Sequence, residues 1–423
     1  MTDLAEQRRR RLSELLDLAQ AYKGWTRKDL AKALGRDPTK LVPGSGVPKL
    51  DLVIDLANVL DWPVGDMIEL LWTEEDGHGF AEPIDRPFDE LNVESKAAHR
   101  EGRYAEMVRL AQRMYLAAQT PDERALASNR LAGGWDGLGR YTKVLEAVQT
   151  GLQDGPLSTN RRVMLEVNLA NAHYSLWHLF EARATASNLL DRYEQRPPED
   201  RLNQVVHAFA HYVRGHSLRR MIDVDPQEAH ELALAAKADL ERARSLYLDL
   251  ERQFEDASYG GVANTCLGGL VEVETFLGER DPDEAIERIT DSLDAVIDAE
   301  SMPVGDWLES YGWWCIFGCN LALRHVADEK ALQHHMAIFT NKADEIANRQ
   351  DNWAMRERVF TMEFARRQRF VSWTGMSADW TIDQDDVRVV AGTMGRFPSF
   401  RRTGWMILQS ANVIRSRQER RLS

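Results

Sequence analysis

The side chains best suited to chemistry in this sequence are a few histidines and cysteines. His207 and His211 stand one helical turn apart, a spacing that suits two metal ligands on one face, and His216 follows. No acidic residue lies between them, as it would in an HExxH metalloprotease motif. Cys315 and Cys319 also share a helix face, but the chain has only three cysteines and no second pair to complete a structural zinc site. His334 and His335 are neighbours and so point apart. All of these read as interior or groove residues rather than ligands. A phosphate-cradling GxxxxGK[ST], a GxGxxG after a strand and a GxSxG elbow are all missing, and no pair of carboxylates stands out. The expectation is a protein that is not an enzyme and uses no metal or cofactor.

Charge says more. The 423 residues carry a net −14, unevenly spread. Residues 1–50 are net +5 and residues 388–423 net +7, which leaves −26 for the stretch between. An acidic body with two basic ends suits a chain whose ends alone meet an anion. Four successive arginines, Arg8–Arg11, point around the whole circumference of a helix, so they cannot all face one partner. At 43% hydrophobic and 28% charged the chain is ordinary for a globular protein. No apolar run reaches the length of a membrane span, and no apolar core follows the early arginines as in a signal peptide. Few cysteines argue against a disulfide framework. A cytoplasmic location without membrane partners is expected.

Apolar residues recur at three and four nearly throughout, as in LDLVIDLANVL and EAIERITDSLDAVI, so an all-α fold is predicted. Val387–Gly392 (VRVVAG) is the one strand candidate. A first helix spans 4–22, and Gly24 breaks it. Thr26 caps a second helix, with Asp29 three residues on as capping-box partner. Leu30, Ala31 and Leu34 face inward and Gly35 ends the helix. Asp37 and Pro38 then restart one as N-cap and first helical residue. Two helices separated by so short a turn make a helix-turn-helix arrangement.

The segment after it resembles the closing helices of Cro/repressor-type (XRE family) helix-turn-helix domains. Pro48-Lys49-Leu50, Ala57-Asn58-Val59-Leu60 and Val64–Leu71 match the family pattern in order and spacing, over residues 10–72. The resemblance implies a lambda-repressor-like head that binds double-stranded DNA. Thr26, Arg27 and Lys28 would meet phosphates, and Arg36, Thr39, Lys40, Ser45 and Lys49 would be candidates for the groove. One departure stands out: DPTKLV runs straight into Pro43 and Gly44-Ser45-Gly46, so the recognition helix is about a turn shorter than the family's. The alternative is a head that keeps the fold and no longer reads DNA specifically.

Residues 73–91 form an acidic, breaker-rich linker, and self-similarity begins beyond it. Residues 99–112 recur as 136–149, with Gly102 to Gly139 and Tyr104 to Tyr141 both 37 apart. A third copy, 168–190, resembles the tetratricopeptide (TPR) consensus through Asn168-Leu169, Asn171-Ala172, Tyr174 and Glu181-Ala182. Residues 266–296 form a fourth, and two further helix pairs complete a stack of five to seven over 92–350. Such pairs bury their faces only by stacking into a solenoid with a concave wall. By the TPR register, the wall would carry Lys96, His99, Arg100, Asn129, Asp136, Asn168, Asn171 and Tyr174. Residues 351–423 are expected to cap the stack and end in a basic tail, with a soft boundary near 350–382.

A helix-turn-helix head joined to a TPR-like array is similar in architecture to the peptide-sensing transcription regulators of bacteria. That resemblance implies a homodimer whose solenoid binds a peptide or protein ligand and thereby alters operator binding. The alternative is a TPR-type interaction scaffold.

Overall fold

A computed structural model describes residues 2–43, 48–60, 62, 64–72, 86–376, 382–411 and 413. Residues 73–85 of the expected linker lie outside these residues, as do Ser45 and the end of the basic tail, whereas residues 88–91 of that stretch are helical. Among the described residues there are helices and turns and no strand. The chain divides into two compact units, Met1–Asp85 and Arg86–Ser423.

The first unit contains α1 (Thr2–Lys23), α2 (Arg27–Ala33), α3 (Leu50–Leu60) and α4 (Val64–Trp72). Leu12, Leu16, Leu30, Leu56, Met67 and Leu71 are fully buried between them. Thr26 and Asp29 form the capping box that starts α2, and Gly35 ends the segment with φ +62°. The four arginines of α1 are spread as helical geometry demands: Arg11 is buried, Arg8 and Arg9 half-buried and Arg10 exposed.

The second helix expected from Asp37 and Pro38 does not form. Asp37 Oδ1 instead accepts from the Thr39 amide at 2.8 Å and from its hydroxyl at 2.6 Å. The Lys40 amide bonds back to the Asp37 carbonyl at 2.9 Å, and the chain passes through turns as far as Pro43. Only four residues lie between Pro38 and Pro43. That is too few to repay nucleation when Pro43 can donate nothing and disfavours helix at Val42. Leu41 is fully buried among the other helices and holds the turn down.

The second unit stacks helix pairs: α5 (Phe88–Arg100) with α6 (Tyr104–Ala117), α7 (Pro121–Gly137) with α8 (Tyr141–Gln153), α9 (Thr159–Ser175) with α10 (Leu179–Gln195), and α11 (Arg201–Met221) with α12 (Ala229–Phe254). Two more follow, α13 (Ser258–Phe276) with α14 (Pro282–Ser292) and α15 (Asp306–His325) with α16 (Glu329–Gln350). The stack then continues without a break into α17 (Trp353–Thr374), which packs on α16 and is followed by α18 (Gln384–Arg396) and α19 (Arg401–Ser410). Val387–Gly392, the strand candidate, is therefore helical. The reciprocal capping box of Asp383 and Asp386 starts α18, and burial of Val390 and Thr393 on one face outweighs the β-branched preference.

One turn recurs within the pairs. Gly102, Gly139, Trp177 and Gly278 all have φ between +64° and +75°. After each of them an amide reaches back five residues, as Arg103 does to Ala98 and Arg140 to Trp135, both at 2.8 Å. Tyr104, two residues after the first of these glycines, packs against the next pair. The ring of Tyr104 lies so close to Gly137 that a Cβ there would meet it at 2.4 Å.

The solenoid also returns on itself. Trp353 sits against Gly139, where a Cβ would meet its ring at 2.7 Å, and against Gly392 at 2.8 Å. Arg396 stacks 3.5 Å above Trp353, and its Nε donates to the Leu138 carbonyl at 3.3 Å. Tyr141 meets Phe397 with ring centroids 5.3 Å apart, and both join Phe360, Val390 and Phe400 in one apolar cluster. The last helices thus contact the second pair across the concave wall.

Gly102 and Gly139 share the left-handed conformation, but only Gly139 is covered by Trp353. Gly102→Ala should therefore cost about 1–2 kcal/mol from backbone strain alone. Gly139→Ala should cost clearly more. Urea unfolding of the two variants checks this, and equal costs would show that the closure adds no stability.

Candidate functional site

In the first unit, most of the residues suited to DNA are already engaged. Thr26 Oγ1 donates to Asp29 Oδ2 at 2.6 Å, and these contacts hold the Asp29 carboxyl below its ordinary range. Arg27 Nε donates to the Pro38 carbonyl at 3.2 Å. Arg36 pairs with Asp51 at 2.7 Å and is only half-exposed. Thr39 is held in the Asp37 turn described above. Lys28, Lys40 and Lys49 are exposed. Ser45 lies outside the described residues. This surface can offer cations to phosphates, but it presents no helix over residues 36–43 to enter a groove.

In the second unit the solenoid wall borders a partly open cavity of about 860 Å³. It draws on α5, α7, α9 and α11 and on the first turns of α15 and α17. Of the eight wall residues predicted, His99, Arg100, Asp136, Asn171 and Tyr174 line it. His99, Asp136 and Tyr174 are repeat equivalents, spaced by 37 and 38 residues, so one register places all three. The other three do not reach it. Asn168 Nδ2 donates to Asn129 Oδ1 at 2.7 Å, so these two satisfy each other between neighbouring pairs. Lys96 is exposed on α5, a turn before Arg100.

Several cavity residues carry no signal in the repeat pattern. Glu309 is central: its Oε1 accepts from Trp313 Nε1 and from Asn352 Nδ2, each at 3.0 Å. Asp136 is exposed to the cavity, yet protein packs densely around its carboxyl. That enclosure, with the Glu309 carboxylate beside it, pushes its acid up to about 6. Asp306 is pushed up to about 6 by the same two causes. Neither pairs with a cation among the described residues. Burial likewise lifts Tyr141 and Tyr212 well above the ordinary tyrosine range, with Glu309 adding to both. Asp351 is taken by Arg356, and Asp256 by Arg201 at 3.1 Å.

A second chamber of about 320 Å³ shares Trp177, Arg220 and Trp313 with the first. Arg219, Arg324 and Arg358 contribute to its wall, so its character is basic. Fully buried Glu272 compensates two of these cations, accepting from Arg219 at 2.6 Å and Arg324 at 2.7 Å. Burial alone would raise the Glu272 acid, but Arg219, Arg324 and Asn320 hold it below its ordinary range. Arg324 also pairs with Asp223 at 2.6 Å.

The histidines and cysteines have other employment. His211 Nδ1 lies 2.8 Å from Asp239 Oδ1, and Arg214 grips the same carboxylate at 2.7 and 2.8 Å. Burial and the neighbouring His211 push His207 down to about 4. Cys315 and Cys319 are buried, which raises both thiols. Among the described residues, no group of three or more His, Cys, Asp or Glu side chains is placed to hold a metal ion.

The raised acids give a signed expectation. A folded aspartic acid near 6, against about 3.9 unfolded, keeps a proton that the unfolded chain has lost. Stability then falls as pH climbs from about 4 to about 6. Asp136→Asn should raise the thermal midpoint at about pH 7.5 and leave it nearly unchanged at about pH 4. A shift of the same size at both pH values would show that enclosure does not perturb Asp136.

No family model matches the chain, and no curated protein does. Among solved structures it is similar to Bacillus thuringiensis PlcR, in a complex with the peptide PapR7 and DNA. The identity is 12% and the TM-score 0.36, and the match covers 68% of this chain and 95% of the other.

Proposed function

We propose that the chain is a DNA-binding transcriptional regulator whose helical-repeat unit takes a short peptide ligand that modulates operator binding by a dimer. The observation that carries this reading is the cavity inside the solenoid. Its volume lies within the range of specific ligand sites, and its wall alternates aromatic rings with amides and carboxylates that can satisfy a peptide's backbone and termini. Closure of the solenoid favours a short peptide over a folded protein as occupant. A ligand bound between the first pairs and α17 would bear on the contacts that hold the ring shut, and so on the curvature of the stack.

For the head, the support is chemical. Residues 1–50 are net +5 within a head that the five acids of residues 51–72 bring to net zero, and Lys28, Lys40 and Lys49 present cations to solvent. Affinity would come mainly from phosphates, and it would weaken steeply with salt. A second reading, an interaction scaffold with a non-reading head, is favoured by one observation: residues 36–43 form turns, and Arg36 is occupied by Asp51.

Fluorescence anisotropy with labelled duplex DNA separates the two. The regulator reading expects binding at low salt, and Lys28→Ala with Lys40→Ala should flatten the log–log salt dependence by about 2. No binding by the full chain at low salt would leave the scaffold reading in possession.

A further inference from the structure

We infer that Arg220 is the anchor for a carboxylate of the ligand. The inference rests on the peptide-cavity half of the reading above. Arg220 is 9% exposed, and its Nη1 donates to the Tyr174 carbonyl at 3.1 Å. Its guanidinium lies 3.9 Å from the Tyr174 ring centroid and 4.4 Å from that of Trp177, so two aromatic faces fix its plane.

No carboxylate among the described residues pairs with it. The neighbouring arginines are different: Arg219 and Arg324 share Glu272, and Arg358 has Glu357 at 3.7 Å. Glu357 also accepts from the Thr361 hydroxyl at 2.9 Å. Burial, with Arg219 and Arg358 nearby, brings Arg220 down to about 10 against the opposing pull of Tyr174 and of Glu357, which forms no ion pair with it. A buried guanidinium without a directly paired carboxylate is costly, and an incoming anion relieves that cost. The fork of N–H donors suits a carboxylate held by two parallel bonds.

The position suits it too. Arg220 lies on the wall of both chambers, where the acidic cavity meets the basic one. Trp177, its stacking partner, has φ +64° at a turn where three repeat equivalents have glycine. An aromatic residue there accepts backbone strain that glycine would avoid. The ring is held between Arg220 and Arg358, whose guanidinium lies 4.7 Å away. With Asp136, Asp306 and Glu309 across the larger cavity, the interior is matched to a zwitterion. The carboxylate would sit at Arg220 and a cationic group at the acids.

The test uses the immobilised full-length chain and three synthetic random-octapeptide pools, with retained peptides measured by mass spectrometry. One pool has free carboxyls, one is C-terminally amidated and one is fully methyl-esterified. The free pool should be retained at least tenfold better than the esterified pool, and Arg220→Gln should abolish that preference with helical circular dichroism unchanged. Loss on amidation identifies the C-terminal carboxylate as the source, and loss on esterification alone identifies a side chain. Equal retention of the free and esterified pools by the unmodified chain overturns the Arg220 assignment while leaving the peptide reading intact, and needs no variant to fold. Retention of no pool overturns both.

Discussion

The contact on which the larger unit depends is the seating of Trp353 against Gly139. A solenoid of helix pairs is ordinarily open, and its concave wall faces bulk water. Here the indole fills space that only a glycine could leave free, with Arg396 stacked on its other side and bonded to the Leu138 carbonyl. The repeat already needs a glycine at that turn for its left-handed backbone. The same residue therefore serves the local turn and the long-range closure, which is why the ring joins at this pair.

Closure changes the electrostatics of everything inside. An aspartate on an open wall is well hydrated and ionises normally. Enclosed and set near Glu309, Asp136 and Asp306 hold protons more tightly, while Arg220 is pushed the other way. These groups resist ionisation because the surrounding protein desolvates them and, among the described residues, none of them sits in an ion pair. By contrast, Glu272 is more deeply buried and stays ionised, because two arginines and an asparagine surround it. The interior thus has compensated charges that hold the stack together and uncompensated ones that face space.

Much of this was legible in the sequence because the repeat is. A 37-residue register fixes the left-handed turns at Gly102 and Gly139, the seating of Tyr104, and three wall residues at equivalent positions. The capping box at Thr26 was equally plain, since it is local. What stayed hidden was non-local. Nothing near Gly139 announces Trp353 more than 200 positions later, so the closure and the role of Glu309 could not be read. The overlooked clue was Trp177: in the register of Gly102 and Gly139, a tryptophan in place of glycine marks a position under constraint. The two local errors have different causes. VRVVAG has strand propensity, but a cap and a buried face overrode it. DPTKLV has helix-start chemistry but too little chain before Pro43 to propagate.

The two units therefore pose opposite problems of satisfaction. In the head, Arg27, Arg36, Thr26 and Thr39 are spent on internal partners, which fixes the 36–43 turn and leaves exposed lysines as its free chemistry. Lysine is a flexible point charge and suits phosphate better than base edges. In the repeat unit the strongest donors and acceptors are left unspent at the cavity wall, held in fixed orientation by rings and helix ends. Preorganised but unsatisfied groups cost stability in the free protein and return it on binding. On the proposed reading, specificity is concentrated at this cavity, and recognition by the head rests on its exposed lysines.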